Sequence, residues 1–330
     1  MTATLDPPEA AGVPTTAPRR TPLRPRRAPK RPRTKAARRR PTAPQRPAGP
    51  PSTAEETASV LSSTFTMVAI VCLWVAAQML FLSPLAQGRS QDVLYDELRG
   101  QLAGATAPVG PVVPAGDPVA LLTVPGIELE QVVVEGTASG DLLAGPGHRR
   151  DTVLPGQAGV SVVYGRSTTY GAPFAEITAL AAGDRITVVS GQGRKVFRVV
   201  GVRRAGDPLP QPPADGAARL TLVTAEGEGR LGALGPSSVV YVDADAKKGF
   251  PAPAGRAAAV PESEQAMAND ISALPLLALC LALLLALTLA VIAARQRWST
   301  ALVWVVATPL VIALSWTTTD VVTRLLPNLM

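Results

Sequence analysis

The sequence predicts a mainly β domain, a closed or nearly closed barrel, carried by transmembrane α-helices and preceded by a disordered basic arm. Three observations predict it. Between residues 118 and 248, short β-branched runs recur between Gly and Pro turn signals. Three long apolar runs hold no charge. The first 58 residues are rich in Arg and Pro and poor in large apolar side chains.

The candidate strands are "VALLTV" (119–124), "LEQVVVEG" (129–136), "VSVVYG" (160–165), "RITVVSG" (185–191), "KVFRVVGVRR" (195–204), "RLTLVTA" (219–225) and "SVVYVDA" (238–244). Seven or eight strands of this length, separated by turns, describe a barrel of about 130 residues, here 118–248. Between the third and fourth, "PFAEITAL" (173–180) has room for one or two helical turns. Residues 83–117 read as a connection, with "YDELRGQL" (95–102) a short helical stem followed by a Gly-, Ala- and Pro-rich spacer. Residues 249–272 read as a second flexible spacer.

The apolar runs cover residues 61–82, 273–294 and 299–316. Each approaches or exceeds the roughly 18–20 residues needed to cross about 30 Å of hydrocarbon, so each is expected to span a bilayer. A signal peptide does not fit the first run, because 60 residues precede it and it is too long for such a segment. Basic residues favour the cytoplasmic side. They put the arm inside together with the link "RQRW" (295–298), which carries Arg295 and Arg297. Residues 83–272 then lie outside, and "TTTDVVTRLLPNLM" (317–330) lies outside again. A multi-pass cell-membrane protein with an extracytoplasmic barrel is the expectation.

Of the 32 Lys and Arg residues, 13 lie between Arg19 and Arg46. Only Asp6, Glu9, Glu55 and Glu56 oppose them in residues 1–58, leaving that stretch at +9 and, against a total of +7, the rest at −2. Such a stretch has too little apolar surface to offset the entropy of ordering, and its prolines prevent a helix from presenting the arginines on one face. Residues 19–46 are suited to the anionic inner leaflet, where a basic residue contributes about 1 kcal/mol, or to a cytoplasmic protein assembly. Aromatic residues for base stacking are missing from the arm, so no specific nucleic acid is expected.

The two cysteines, Cys72 and Cys280, both lie in predicted spans. The barrel therefore has neither a disulfide nor a cysteine nucleophile. His148 is the single histidine, whereas zinc sites need several clustered ligands. Neither a metal nor a cofactor is expected.

"GPGH" (145–148), "LPGQAG" (154–159), "TTYGAPF" (168–174), "L..GDRI" (180–186) and "LTLVT" (220–224) resemble, in order and spacing, a sortase domain, most closely the class E-like sortases of high-GC Gram-positive bacteria. The resemblance covers roughly 118–245 and implies an eight-stranded β-barrel and, with the Ala-, Arg- and Pro-rich composition, an actinobacterial host. Sortases cut a sorting signal near a Thr-Gly bond and join the Thr to an amine. The family uses a cysteine for the thioacyl intermediate, a histidine for protons and an arginine for the oxyanion, chemistry that needs all three together.

All three positions differ here. In the family a histidine follows the glycine that precedes "TTYGAPF"; this chain reads Gly165-Arg166-Ser167. Arg166 stays protonated and cannot act as a general base. Ala225 follows "LTLVT" where the cysteine belongs, and Ser238 falls where the arginine belongs. The resemblance thus implies a pseudoenzyme.

Ser167, Thr168 and Thr169 flank the changed site, and their hydroxyls are expected to satisfy loop backbone groups. Arg166 is expected to pair with Glu226, with carboxylate binding as the alternative. Asp184, Asp243 and Asp245 read as turn and solvation residues at strand ends. Candidate binding residues are Arg166, Ser167, Thr168, Tyr170, Glu226 and Arg230. The leading functional expectation is a membrane adaptor or scaffold docking a cytoplasmic or envelope assembly, such as a contractile injection machine. A non-catalytic receptor for sorting-signal or cell-wall peptides at the barrel groove is the second reading, and an enzyme with displaced chemistry the third.

Overall fold

A computed structural model of the chain describes residue 65, residue 69, residues 71–227 and residues 238–330. The basic arm, part of the first predicted span and Arg230 lie outside the described residues.

Eight strands close a barrel: β1 (Pro118–Val124), β2 (Leu129–Glu135), β3 (Gly147–His148), β4 (Gly159–Tyr164), β5 (Arg185–Ser190), β6 (Gly193–Arg204), β7 (Ala218–Glu226) and β8 (Ser238–Ala246). Their order around the wall is β1-β2-β3-β4-β7-β8-β6-β5, with β5 returning to β1. Two neighbours are parallel, β2 with β3 and β4 with β7. "PFAEITAL" contributes one 3₁₀ turn, Ile177–Ala179.

Strand alternation sorts the side chains. On β7, Leu220 and Leu222 enter the central core with Val163, Phe174 and Phe197. Val223 and Ala225 face the other way and join Tyr164 in a second cluster. Ala225 lies on that outer face, where β4 runs parallel to β7 with Tyr164 opposite Val223, and the loop that carries Arg166 leaves β4 beside it.

Parts of both flanking segments are fastened to the barrel, and the expected stem at 95–102 lies within a longer helix. Helix α1 (Ser83–Ala103) is 21 residues long, and its Leu94 and Leu98 pack on Val132 and Val134 of β2. Gln91 from the same stripe clamps β2. Its Oε1 accepts from Val132 N at 2.7 Å, and its Nε2 donates to Val132 O at 3.1 Å and Ala144 O at 2.8 Å. The sequence conceals the first half of this helix because two of its five buried residues, Gln87 and Gln91, are amides rather than aliphatic. Residues 249–272 are likewise held. Phe250 exchanges main-chain bonds with Ala158 and Gly156. Glu264, 1% exposed, pairs with Arg150 and accepts from Thr137 Oγ1 through its carbonyl at 2.7 Å.

Among the described residues two helices are long and apolar enough to cross a membrane, over Ile271–Ala294 and Ala301–Arg324, each 24 residues. At 1.5 Å per residue each reaches about 36 Å. Helix α2 (Leu274–Ala294) exposes Leu281, Leu285, Leu289 and Ile292; helix α3 (Thr300–Arg324) exposes Leu302, Trp304, Val305 and Leu310. A helix apolar on its outward faces is matched to hydrocarbon rather than water. Helix α3 outruns the predicted 299–316. Its threonines do not end it, because Thr318, Thr319 and Thr323 donate to carbonyls four residues back, satisfying their hydroxyls within the helix.

Replacing Gln91 by Ala strands a buried amide and two carbonyls, each worth about 1–3 kcal/mol. The variant is expected to unfold at a clearly lower temperature and to be cleaved faster within residues 104–117. An unchanged melting curve would show that the clamp is idle.

Candidate functional site

The loop 165–174 leaves β4 through Gly165, whose N–H donates to Val223 O at 2.9 Å and whose carbonyl accepts from Thr224 Oγ1 at 2.9 Å. A side chain cannot be added there, because a Cβ would sit 2.3 Å from the Phe174 ring. Phe174 is wholly buried, and its N–H closes the loop onto Arg166 O at 3.0 Å. Between them three successive residues are left-handed: Tyr170 (φ 51°), Gly171 (φ 73°) and Ala172 (φ 41°). For Tyr and Ala this is strained backbone, held only where surroundings enforce it. The enforcement comes from α1 and α3. Tyr170 N donates to Ser83 Oγ at 3.1 Å, and Tyr170 Oη donates to Asp320 Oδ1 at 2.5 Å.

Arg166 has no solvent exposure. Its Nη1 donates to Thr169 Oγ1 and to Met330 O, both at 3.1 Å; its Nη2 donates to Ser139 O and Ser139 Oγ, both at 2.9 Å. The guanidinium stands 5.5 Å from the Tyr170 ring centre, and its Nε has no partner. Burial pulls the group down to about 10, so at neutral pH it remains a cation. The predicted pair with Glu226 does not form. Glu226 instead binds Arg204 at 2.7 Å, and this bond holds its carboxyl below the usual range. Alternation is the reason: Ala225 takes the site face of β7, so Glu226 must point the other way. Among the described residues no ion pair includes Arg166.

Ala225 is 4% exposed and packs with Leu142, Tyr164 and Val223. Its fourth neighbour in that cluster is Leu329, with no exposure at all. Residues 325–330, expected to trail outside, run across the site. Leu329 O accepts from Ser167 N at 3.0 Å and from Ser167 Oγ at 3.1 Å. Met330 O accepts from Thr169 Oγ1 at 2.7 Å. Asn328 Nδ2 donates to Thr137 O and Gln265 O, each at 2.8 Å. The hydroxyls of Ser167 and Thr169 do satisfy backbone groups, as expected, but those of a distant segment. Thr168 lines an apolar crevice with Val71, Cys72, Met79, Leu326 and Met330.

Of the other candidates, Ser238 opens β8 opposite Glu226 and donates to its carbonyl at 3.2 Å; it faces nothing reactive. Asp184 caps a turn at Ala181 N, whereas Asp243 is buried between Arg203 and Thr221, at 2.6 and 2.7 Å. His148 lies apart, paired with Glu135 at 2.7 Å. Among the described residues no group of three or more His, Cys, Asp or Glu could hold a metal ion. Sequence reasoning missed Ser139, Asp320, Leu329 and Met330. The available signal was "LLPNLM" itself, an apolar string following a helix end.

Residues 122–234 match the family model of the sortase domain. The sortase-type barrel accounts for about a third of the chain. Solved structures with likeness to it include a sortase SrtA from Actinomyces oris, 26% identical over 47% of this chain and 92% of its own, TM-score 0.35. A sortase E mutant from Streptomyces avermitilis is 25% identical over 46% of this chain and 100% of its own, TM-score 0.34. A Sortase D5 transpeptidase of Clostridium perfringens is 17% identical over 48% of this chain and 96% of its own, TM-score 0.38. No curated protein matches the chain.

Two substitutions test how the sortase-type loop is held. Gly165→Ala drives a methyl into Phe174 and is expected to destabilise the barrel by about 1–3 kcal/mol, seen as a lower melting temperature. Tyr170→Phe removes a bond to a carboxylate, worth about 1.5–3 kcal/mol. Burial, then the bond to Asp320, raises the Tyr170 phenol, while an unfolded tyrosine titrates near about 10. The folded state therefore keeps its proton longer, and the stabilisation is complete below that pH and declines above it. Wild type is expected to lose stability more steeply than Tyr170→Phe in alkaline denaturation; parallel curves would refute the linkage.

Proposed function

We propose that this protein is a membrane-held, catalytically inactive relative of sortases that works as an adaptor or scaffold. One observation carries the reading: the place of the nucleophile is a methyl, Ala225, sealed beneath Leu329. Acyl transfer needs a nucleophile with a base beside it, and the residue at the base position, Arg166, is a buried cation whose Nη groups are already engaged by Thr169, Met330 and Ser139. The two cysteines offer no substitute, since both sit in apolar helical segments.

The membrane is the first partner. The arm and the Arg295–Arg297 link face the cytoplasm and the barrel faces outward, following the distribution of basic residues. Residues 19–46 then engage the anionic leaflet or a cytoplasmic assembly, while the barrel is the outer anchor. A second reading, a receptor for an extracytoplasmic peptide, is favoured by a separate cleft. About 390 Å³ lies open beside the site, walled by Arg149, Tyr164, Arg203 and Tyr241, a mixture of forks and rings suited to peptide carbonyls and carboxylates.

Three measurements test these statements. The full chain, incubated with a sorting-signal peptide and an amine acceptor, is expected to give no transfer product; any product overturns inactivity. Single cysteines at Ser299 and Asp215, in a chain with Cys72 and Cys280 replaced, should react with impermeant thiol reagents from opposite sides of the membrane. Crosslinking in native membranes should recover cytoplasmic partners that disappear when residues 1–58 are deleted. Partners that are secreted or wall-linked and indifferent to the deletion would favour the receptor instead.

A further inference from the structure

Residues 325–330 do not sit on the barrel as core residues sit. The barrel grips them chiefly by the main chain: Ser167 N and Oγ read Leu329 O, and Thr169 Oγ1 with Arg166 Nη1 reads Met330 O. Carbonyl-by-carbonyl gripping with one apolar side chain in a pocket is how a site holds an extended peptide. Here that side chain is Leu329, placed against Leu142, Tyr164, Val223 and Ala225. Asn328 adds a side-chain bridge to Thr137 O and Gln265 O. The occupant belongs to the same chain.

The closed arrangement also carries unbalanced features. Among the described residues no Asp or Glu pairs with the buried Arg166, and its Nε is unbonded, as is Asn328 Oδ1. Buried polar atoms without partners raise the free energy of the state that contains them. The loop that provides Ser167 and Thr169 is left-handed at Tyr170 and Ala172, and its restraint comes from Asp320 on α3. Segment and helix are continuous: Arg324 is the last residue of α3, and Leu325 follows it. Ser139, which accepts from Arg166, donates in turn to Thr323 O at 3.1 Å. An axial shift of α3 by one residue, about 1.5 Å, would disturb the bonds from Asp320 and Thr323 together, because both residues lie on that helix.

We propose that residues 325–330 are a resident ligand of the barrel's own site, a strap that closes it in cis and leaves it when α3 moves. The inference does not depend on the adaptor reading: it concerns access to the pocket over Ala225, whatever lies beyond the membrane. The open state offers Ser167, Thr169 and Arg166 as donors beside an empty leucine-sized pocket. The class of ligand it accepts is an extended peptide with an aliphatic residue, and helix α3 makes its acceptance responsive to the membrane.

The test uses the full chain in lipid nanodiscs, with Cys72→Ser and Cys280→Ala and a reporter Ala225→Cys. With the strap intact, maleimide modification of the reporter is expected to be slow. Adding Leu329→Asp should accelerate it by about tenfold or more, the signature of a protected site that now opens. A synthetic peptide of sequence LLPNLM, added in excess, should restore protection to the Leu329→Asp protein. Equal reactivity with and without Leu329→Asp overturns the strap. Acceleration that the peptide fails to reverse overturns it as a ligand and makes the segment fixed core. If Leu329→Asp loses the β-sheet circular dichroism of the parent, Asn328→Ala replaces it, with the same acceleration and the same peptide reversal expected.

Discussion

A buried guanidinium organises the site. Arg166 is taken wholly out of water with no Asp or Glu side chain paired to it among the described residues, so its Nη donors must be matched by the oxygens placed around them. Those oxygens come from three separate stretches: Ser139 in the connection after β2, Thr169 in its own loop, and Met330 beyond α3. The cation therefore acts as a three-way joint. Removing it leaves several inward-facing acceptors unpaired, a larger loss than the bonds themselves, because unmatched buried groups keep their full desolvation cost. The same joint explains why the loop tolerates left-handed backbone at Tyr170 and Ala172: the surroundings on every side are already committed.

How far this could be read beforehand follows from which forces write themselves into sequence. The barrel was legible because β-strands alternate and turns need Gly or Pro, and both are visible in "RLTLVTA" and "VSVVYG". Membrane-length helices were legible because hydrocarbon demands uninterrupted apolar residues. Helix α1 was legible only in its second half, 95–102, since its clamp is Gln91, a residue whose composition suggests a surface while its carboxamide satisfies β2. The extension of α3 through "TTTD" was hidden for a similar reason: hydroxyls bonding within the helix look like helix breakers in a string of letters.

Arg166 and Ala225 stand out by resemblance, and the segment after α3 touches both, Arg166 through Met330 O and Ala225 through Leu329. What they touch was beyond the reach of pattern. Pairing Arg166 with Glu226 is reasonable from proximity in sequence to Ala225, yet period-two geometry turns Glu226 away toward Arg204 on β6. Ser167 and Thr169 were assigned to backbone groups correctly in kind. Their acceptors are more than 160 residues away in the chain, a distance no local rule spans.

These contacts bear on what a tether can do. Spacers of Gly, Ala and Pro would let the barrel drift on the membrane and would transmit nothing. Instead α1 is clamped to β2, Glu264 is buried against Arg150 and Thr137, and α3 runs without a break into the segment that fills the site. Three routes from the helices to the barrel are thus packed or hydrogen-bonded. A displacement of α3 bears on Asp320, Thr323 and Leu329, the residues that restrain the loop and cover Ala225. The constraint runs in both directions, because anything that binds better to the open pocket must, by linkage, bias the position of α3.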